Sequence, residues 1–367
     1  MTILFMLFSV LYVVFYLSLA IGWSHVKTSS QRSAQANFSI IIPVRNEENV
    51  IEKLLTSLEY QEYDKQKYEV IIVDDFSEDD TVTVVTRLRA QFSMNLRLLS
   101  LRDAGHTGKK TALTKGIEAA KYDFVLTTDA DCQMGPFWLA SFSENAVTSK
   151  FIAGPVALKG SGLFAEMQQA EFAGLIGFGA VTMMNNNPSM CSGANLGFAK
   201  EAFTRVGGYT DNLEIPSGDD EFLLYSIARK YPDDVLFLKN KSAIVVTEAH
   251  SKLAGFINQR TRWTSKWKYH RNHKHRITAV LFFIDNCIFL GAFLLCLTSR
   301  LPVGVFLPLT LLRWLAVFFY IIPIKGFLGH GRNLVGTLLM QIIYPFHILF
   351  MGLNSIFGRY TWKGRKY

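Results

Sequence analysis

Two aspartates one residue apart, Asp129 and Asp131, close an apolar run that ends in Thr127-Thr128. Carboxylates spaced D-x-D just after a strand can turn toward one point and offer hard oxygen ligands to a divalent cation. Magnesium or manganese suits such a partial site, keeping some waters and bridging phosphate oxygens. Taken alone, the pair also describes a turn former or a helix cap. Two more apolar runs end in polar groups that could face a ligand, Pro43-Val44-Arg45-Asn46-Glu47 and Asp74-Asp75. No glycine-rich dinucleotide fingerprint and no GxxxxGK[ST] loop follows any of these runs. A phosphate ligand is therefore expected to be held by metal and side chains more than by a backbone cradle.

The elements that must position these groups alternate in kind. Phe38–Val44, Tyr68–Asp74, Leu96–Leu101 and Tyr122–Thr128 read as buried strands rich in Ile and Val. Glu47–Tyr60, Asp80–Phe92, Gly108–Ala120 and Pro136–Ser149 read as the helices between them. The alternation predicts an α/β domain with a parallel sheet. Ligands of such sheets bind beyond the carboxyl ends of the strands, where these acids stand.

The chain has 367 residues, 50% hydrophobic and 19% charged, with a net charge of +8. This composition excludes a disordered chain, a disulfide scaffold and a collagen-like protein. The positive excess is confined to two segments: seven Lys/Arg and no acids lie between Gln259 and Arg276, and four more between Arg359 and Tyr367. The remainder holds 27 basic and 30 acidic residues. Cations gathered beside apolar runs fit the positive-inside bias of a membrane protein and exclude a nucleic-acid partner.

Met1 to Trp23 carries no charged side chain and is long enough to cross about 30 Å of hydrocarbon. It is expected to be a retained transmembrane anchor (1–23), being too long for a signal peptide and lacking a basic start. Lys27 and Arg32 follow it, which places the next domain in the cytoplasm. Four cysteines without CxxC spacing suggest neither a disulfide framework nor a zinc site. Three more apolar runs occupy 277–357, and the first two form a hairpin in which Asp285 and Arg313 fall at depths about 3 Å apart. Their pairing is expected, because a lone charge there costs at least about 3 kcal/mol. A third full crossing would carry the basic tail (358–367) outside, whereas a re-entrant or interfacial segment broken at Tyr344-Pro345 would return it. Either two or three crossings follow.

The ordered set "SIIIPVRNEEN", "VIIVDDFSEDDT", "GKKTALTKGI", "TTDAD", "SGANLGFAKEAFTRVGGY", "SGDDE" and "QRTRW" resembles the membrane-bound family 2 glycosyltransferases. That family includes cellulose, chitin and hyaluronan synthases and ceramide-type glucosyltransferases. The likeness runs from about Ser39 to Trp263, and the closing "TWKGRKY" is similar to the tail of many bacterial members. It implies a GT-A domain over 38–250, a nucleotide-diphosphate sugar donor, usually a uridine one, and inversion at the anomeric carbon. On this model Pro43, Arg45, Glu47, Asp74 and Asp75 surround the uridine, and Lys109 sits near the diphosphate. Asp129 and Asp131 present Mg2+ or Mn2+, Gly193 and Asn195 line the donor-sugar and acceptor side, and Asp219 joins the substrate-binding residues. Asp220 is the implied general base. Gln259, Arg262 and Trp263 match QxxRW, whose polar members contact the departing diphosphate and whose indole meets the acceptor.

The residue types suit this chemistry independently. A cation and Arg262 can stabilise charge on a departing diphosphate, and a carboxylate can take the proton of the incoming hydroxyl. The acids Asp219–Glu221 also suit the first turn of a helix. The stretch 251–276, with Trp263 and Trp267 four apart among cations, describes an interfacial amphipathic helix. His270, His273 and His275 there read as a solvated basic run. The expected acceptor is a membrane lipid or a growing glycan. A processive polysaccharide synthase is the alternative, and from other classes a non-catalytic nucleotide-binding membrane protein or a nucleotidyltransferase.

Overall fold

Strands that are apolar on both faces need cover on both, and the computed structural model buries them so. It describes residues 1–29, 36–102, 107–213, 215, 217–266, 273–331, 334–357, 361–362 and 365–366. Trp267, Tyr269, His270, Arg32, Arg359 and Lys363 lie outside the described residues, as do the side chains of His273 and His275. From the amino end the elements are α1 (Thr2–His25), β1 (Phe38–Val44), α2 (Ile51–Glu59), β2 (Tyr68–Asp74), α3 (Thr81–Gln91), β3 (Asn95–Ser100), α4 (Lys109–Ala119) and β4 (Phe124–Thr127). Next come β5 (Gln133–Met134), α5 (Trp138–Ala146), β6 (Phe151–Ala153), β7 (Val156–Lys159), α6 (Leu163–Met184), β8 (Leu196–Ala199), α7 (Lys200–Arg205) and α8 (Asp219–Lys230). Last are β9 (Val235–Phe237), β10 (Val245–Glu248), α9 (Leu253–Thr264), α10 (His273–Leu297), α11 (Val303–Phe327) and α12 (Val335–Phe357).

The chain divides into two compact units. One holds Val26–Lys159 and Phe178–Glu248, the other Met1–His25, Gly160–Gly177 and Ala249–Tyr367. The first unit is built on a seven-stranded sheet ordered β3-β2-β1-β4-β8-β6-β9, with a three-stranded sheet β5-β10-β7. Ile40–Ile42 and Val70–Val73 have no accessible surface, and each such side chain stabilises the fold by roughly 1.5–3 kcal/mol. The α2 helix buries Ile51, Leu54, Leu55 and Leu58 along one face. It starts four residues later than the predicted Glu47. The reason is local: the Glu47 and Glu48 amides donate to Thr81 Oγ1 at 2.7 Å and Asp79 Oδ2 at 3.1 Å, which holds the segment as a turn.

The sheet corrects the expectation of parallel pairing throughout. β1 to β4 are parallel, but β8 runs antiparallel to both β4 and β6. Parallel pairing requires a crossover back to the amino end of the sheet, and the chain instead enters β8 directly beside the end of β4, with Leu196 opposite Thr127. The residues just before β8 therefore stand where a parallel sheet would place residues just after a strand.

In the other unit, α1 buries Phe5, Ser9, Tyr12, Tyr16, Leu19 and Trp23, a seam with alternating four- and three-residue spacing. Phe5 stacks on Phe306, Tyr16 meets Tyr320 and Trp23 meets Phe327, so α1 and α11 run in the same direction. The expected pair between α10 and α11 is present: Arg313 donates to Asp285 Oδ1 at 2.9 Å and Oδ2 at 2.6 Å. The Arg313 guanidinium also lies 3.8 Å from the centre of the Tyr12 ring. Among the described residues four helices, α1, α10, α11 and α12, are long and apolar enough to cross a membrane. The break expected at Tyr344-Pro345 is absent, and α12 runs through it. Proline withholds one ladder hydrogen bond at about 3 kcal/mol or more; packing along the rest of the helix outweighs that.

Candidate active site

The acids noticed first lie where the sheet topology puts them, beyond the carboxyl end of β4. One oxygen of Asp129 accepts from Lys109 Nζ at 2.8 Å, and the same ammonium reaches Asp219 Oδ2 at 3.1 Å. Burial opposes the charge on Lys109, but the Asp129 and Asp219 carboxylates more than offset this and keep it protonated. Asp220 accepts from the Gly193 amide at Oδ2, 3.0 Å, and from the Glu221 amide at Oδ1, 2.8 Å. Gly193 is the point on which these groups close. A Cβ there would lie 3.2 Å from Asp219 Oδ2, 3.3 Å from Lys109 Nζ and 3.6 Å from Asp220 Cβ.

Two local features aim these side chains. Gly218, at φ +83°, turns the chain so that α8 begins at Asp219, with Asp219, Asp220 and Glu221 in its first turn, where the helix dipole favours negative charge. Gly108, at φ +113°, starts α4, and its amide donates to Asp75 Oδ1 at 3.0 Å. Lys109 is thereby tied to the second acidic group. Lys110, its neighbour, points elsewhere and braces the Asn212 and Ile215 carbonyls.

Pro43, Arg45, Glu47, Asp74 and Asp75 gather at the ends of β1 and β2, where Val44 is in register with Asp74. Arg45 donates to the Asp75 carbonyl at 2.8 Å, and Asp74 Oδ1 accepts from the Ser77 amide at 3.2 Å. Asp131 is exposed, and its Oδ2 accepts from Thr247 Oγ1 on β10 at 3.1 Å. Among the described residues no three His, Cys, Asp or Glu side chains form a closed metal site. Asp129 and Asp131 fit an open one, whose remaining ligands are substrate oxygens and water.

Residues 39–207 match the family model described as Glycosyl transferase family 2. They form a family 2 glycosyltransferase domain. The poly(ribitol-phosphate) beta-N-acetylglucosaminyltransferase TarS of Staphylococcus aureus is 34% identical over 94 residues, 26% of this chain and 16% of that protein. The poly-beta-1,6-N-acetyl-D-glucosamine synthase of Staphylococcus aureus is 27% identical over 143 residues, 38% of this chain and 33% of that one. The chain thus matches only a minor part of the length of these curated relatives. The mannosyltransferase PcManGT from Pyrobaculum calidifontis, solved in complex with GDP-Man and Mn2+, superposes with a TM-score of 0.61 over 97% of both chains at 16% identity. The fold is the GT-A fold of glycosyltransferases.

Within this glycosyltransferase domain one expected site residue serves the scaffold instead. Asn195 is fully buried; its Nδ2 donates to the Pro155 and Ala243 carbonyls, both at 2.8 Å, and its Oδ1 accepts from Trp138 Nε1 at 3.0 Å. Its amide faces the sheet interior and fixes the strand entry that carries Gly193. Thr247 is a residue that sequence reasoning missed, since nothing in Val245–Glu248 marks a hydroxyl aimed at Asp131.

Gln259, Arg262 and Trp263 stand on α9, in the unit that holds the long apolar helices. The neighbour Arg260, one of the cations of this stretch, does not face outward. Arg260 is buried, donates to both oxygens of Glu171 and to Gln259 Oε1, and lies 4.3 Å from the Trp263 ring centre and 4.5 Å from that of Phe256. Lys266 is buried as well. His347 of α12 approaches the same Glu171 at 3.6 Å. Burial would push the Glu171 carboxyl up, but the Arg260 charge and the hydrogen bonds from His347 and Arg260 hold it at about 2.

Proposed function

We infer that this chain is an inverting glycosyltransferase that moves a sugar from a nucleotide-diphosphate donor, a uridine diphosphate sugar, to a hydroxyl of a membrane lipid or growing glycan. The observation that carries this reading is the convergence of Lys109, Asp219 and Asp220 on Gly193 beside the end of β4, with Asp129 paired to the same Lys109. A cation site, a cationic side chain and a carboxylate base are what displacement of a nucleoside diphosphate requires, and a module that only binds nucleotide has no need of the base. Catalysis is placed on the cytoplasmic side of a multi-pass membrane protein, where nucleotide sugars are available and where the charge bias puts this domain.

In the reaction the acceptor oxygen forms a bond to the anomeric carbon while the bond from that carbon to the diphosphate oxygen breaks, its electron pair leaving with the diphosphate. Asp220 takes the acceptor proton late in the displacement. Its contacts from the Gly193 and Glu221 amides orient the carboxylate. Lys109 offers a fixed positive charge to the leaving oxygens. Mg2+ or Mn2+ held by Asp129 and Asp131 would supply further positive charge against the diphosphate. The ends of β1 and β2, with Pro43, Arg45, Glu47, Asp74 and Asp75, receive the nucleoside, and Gly193 leaves room on the donor-sugar side. Gln259 and Arg262 retain their assignment to the departing diphosphate, and Trp263 to the acceptor.

The test is to incubate membranes bearing the protein with a panel of radiolabelled nucleotide sugars. Release of nucleoside diphosphate with label in the lipid extract is expected. Label in a water-soluble or wall-bound polymer would select the processive reading, release of sugar 1-phosphate with the nucleotidyl group passed to an acceptor would select a nucleotidyltransferase, and no turnover of any donor would leave a binding protein.

A further inference from the structure

The helix α12 does not behave as a fourth crossing. Its two ends are fastened on one side of the α10–α11 hairpin. That hairpin is closed near Arg300, so its open side is marked by the start of α10 and the end of α11. Near its amino end α12 meets that open side: Thr337 Oγ1 accepts from Lys325, in the last turns of α11, at 3.2 Å. Gly336 packs so tightly on Glu166 of α6 that no side chain would fit there. At the other end Asn354 Nδ2 donates to Thr261 Oγ1 of α9 at 3.3 Å. The α9 helix leads into the open end of α10, and with Gln259, Arg260 and Arg262 it cannot lie in hydrocarbon. The seventeen residue steps from Thr337 to Asn354 span about 26 Å of helix. Had α12 crossed, Asn354 would stand beside the closed end of the hairpin.

The middle of α12 agrees. Tyr344 meets Phe282 with ring centres 6.0 Å apart, and Gly352 packs against Phe283. Two α12 positions eight residues apart thus touch adjacent residues of α10. A helix running alongside α10 would meet it at successive turns, whereas one lying across it meets a single level.

The two faces of α12 are sharply unlike. Leu338, Ile342, Phe346, Phe350 and Leu353, spaced four, four, four and three apart, are all exposed. The opposite side turns Thr337, Gln341, His347 and Asn354 toward α6, α9 and α11. A helix with one apolar stripe and one polar face lies in the plane of a bilayer surface, sinking the stripe roughly 5–10 Å.

We propose that α12 is an in-plane helix whose Leu338–Leu353 stripe docks on the lipid surface at the open side of the hairpin, fastening α9 to that surface. The lipid is the occupant because α1, α10 and α11, the long helices packed with α12 in this unit, expose rows of large apolar side chains as well. The four cations that follow at Arg359–Lys366 suit anionic headgroups. This topology keeps both basic segments on one side of the membrane. It rests on the hairpin spanning the bilayer and not on the transfer reaction.

The test places a cysteine in turn at Leu338, Ile342, Phe346, Phe350 and Leu353 in the full chain with Cys132, Cys191, Cys287 and Cys296 replaced by serine. Each is labelled with a small fluorophore in vesicles of phosphatidylcholine and phosphatidylglycerol, and quenching by headgroup-level and mid-chain nitroxide lipids is compared. All five positions lie on the outward face, so substitution leaves the packing intact. We expect a shallow quenching ratio constant within about twofold along the stripe. A ratio that deepens toward Phe346 and then reverses, or no quenching by either lipid, overturns the proposal. An independent measurement uses the natural cysteines: a carboxyl-terminal epitope in sealed inside-out vesicles should be digested together with the catalytic domain. Protection of the epitope while that domain is digested overturns the proposal as well.

Discussion

Lys109 and Asp129 form an ion pair of 2.8 Å, so one oxygen of the D-x-D pair is already engaged by a cation of the protein. A divalent ion arriving alone must compete with that ammonium, whereas an ion arriving with a diphosphate offers Lys109 a second anion to hold. Lys109→Ala should therefore tighten Mn2+ binding in the absence of nucleotide by roughly tenfold, about 1.4 kcal/mol. The same variant should bind nucleoside diphosphate more weakly and lose most transfer. Electron paramagnetic resonance of free Mn2+ during titration reads the first effect; weaker Mn2+ binding by the variant would show that Lys109 supports the metal site instead of competing for it.

Asp220→Asn keeps an acceptor for the Gly193 amide, because a side-chain amide oxygen can replace the carboxylate oxygen at 3.0 Å. What it removes is the ability to take a proton, together with the acceptor of the Glu221 amide at the helix start. A general base contributes about 10²- to 10⁴-fold, so kcat should fall within that range while the donor KM changes by less than about threefold. Single-turnover transfer with equilibrium donor binding separates the two. Parallel loss of binding and turnover would assign Asp220 to holding the loop.

Asn195 should fail in the opposite way. Asn195→Ala leaves the Pro155 and Ala243 carbonyls and the Trp138 Nε1 donor without their partner in a fully buried place. Each unsatisfied group costs on the order of 1–3 kcal/mol, so the thermal midpoint in detergent should fall by several degrees or more. At low temperature, where the variant is still folded, nucleotide affinity should stay near that of the wild type. A large affinity loss without destabilisation would return Asn195 to the ligand site.

Legibility in the sequence follows the range of the pattern. The strands β1 to β4 are written in local runs of Ile and Val, and the acids at their ends follow from strand direction alone. Asp285 and Arg313 were also legible, because two charges in apolar runs at matching depth have few other partners. The antiparallel entry of β8 is not encoded in its four residues; it depends on where the chain stands after α6. The motif around Gly193 and Asn195 names both residues but not the face each side chain takes, and the inward turn of Asn195 is fixed by Trp138, 57 positions away. The Glu171, Arg260 and His347 cluster joins three helices that share no spacing rule, so Arg260 reads as one more surface cation until packing buries it.

That cluster gives a pH dependence whose sign can be worked out. Glu171 is held at about 2 in the folded chain against an ordinary 4.5. A carboxyl whose folded value is depressed adds stability that is fully present above about pH 4.5. The contribution is lost as pH falls from there toward 2, because the unfolded chain then binds the proton first. The shift corresponds to something on the order of 3 kcal/mol. Glu171→Gln removes the titrating group, so the variant should be less stable than the wild type at pH 6, and the gap should narrow steadily below pH 4.5. Thermal unfolding of both proteins in the same detergent at pH 6, 4 and 3 reads this. A gap that stays constant or widens across the series would mean that the Arg260 contact acts through shape and not through the charge of Glu171.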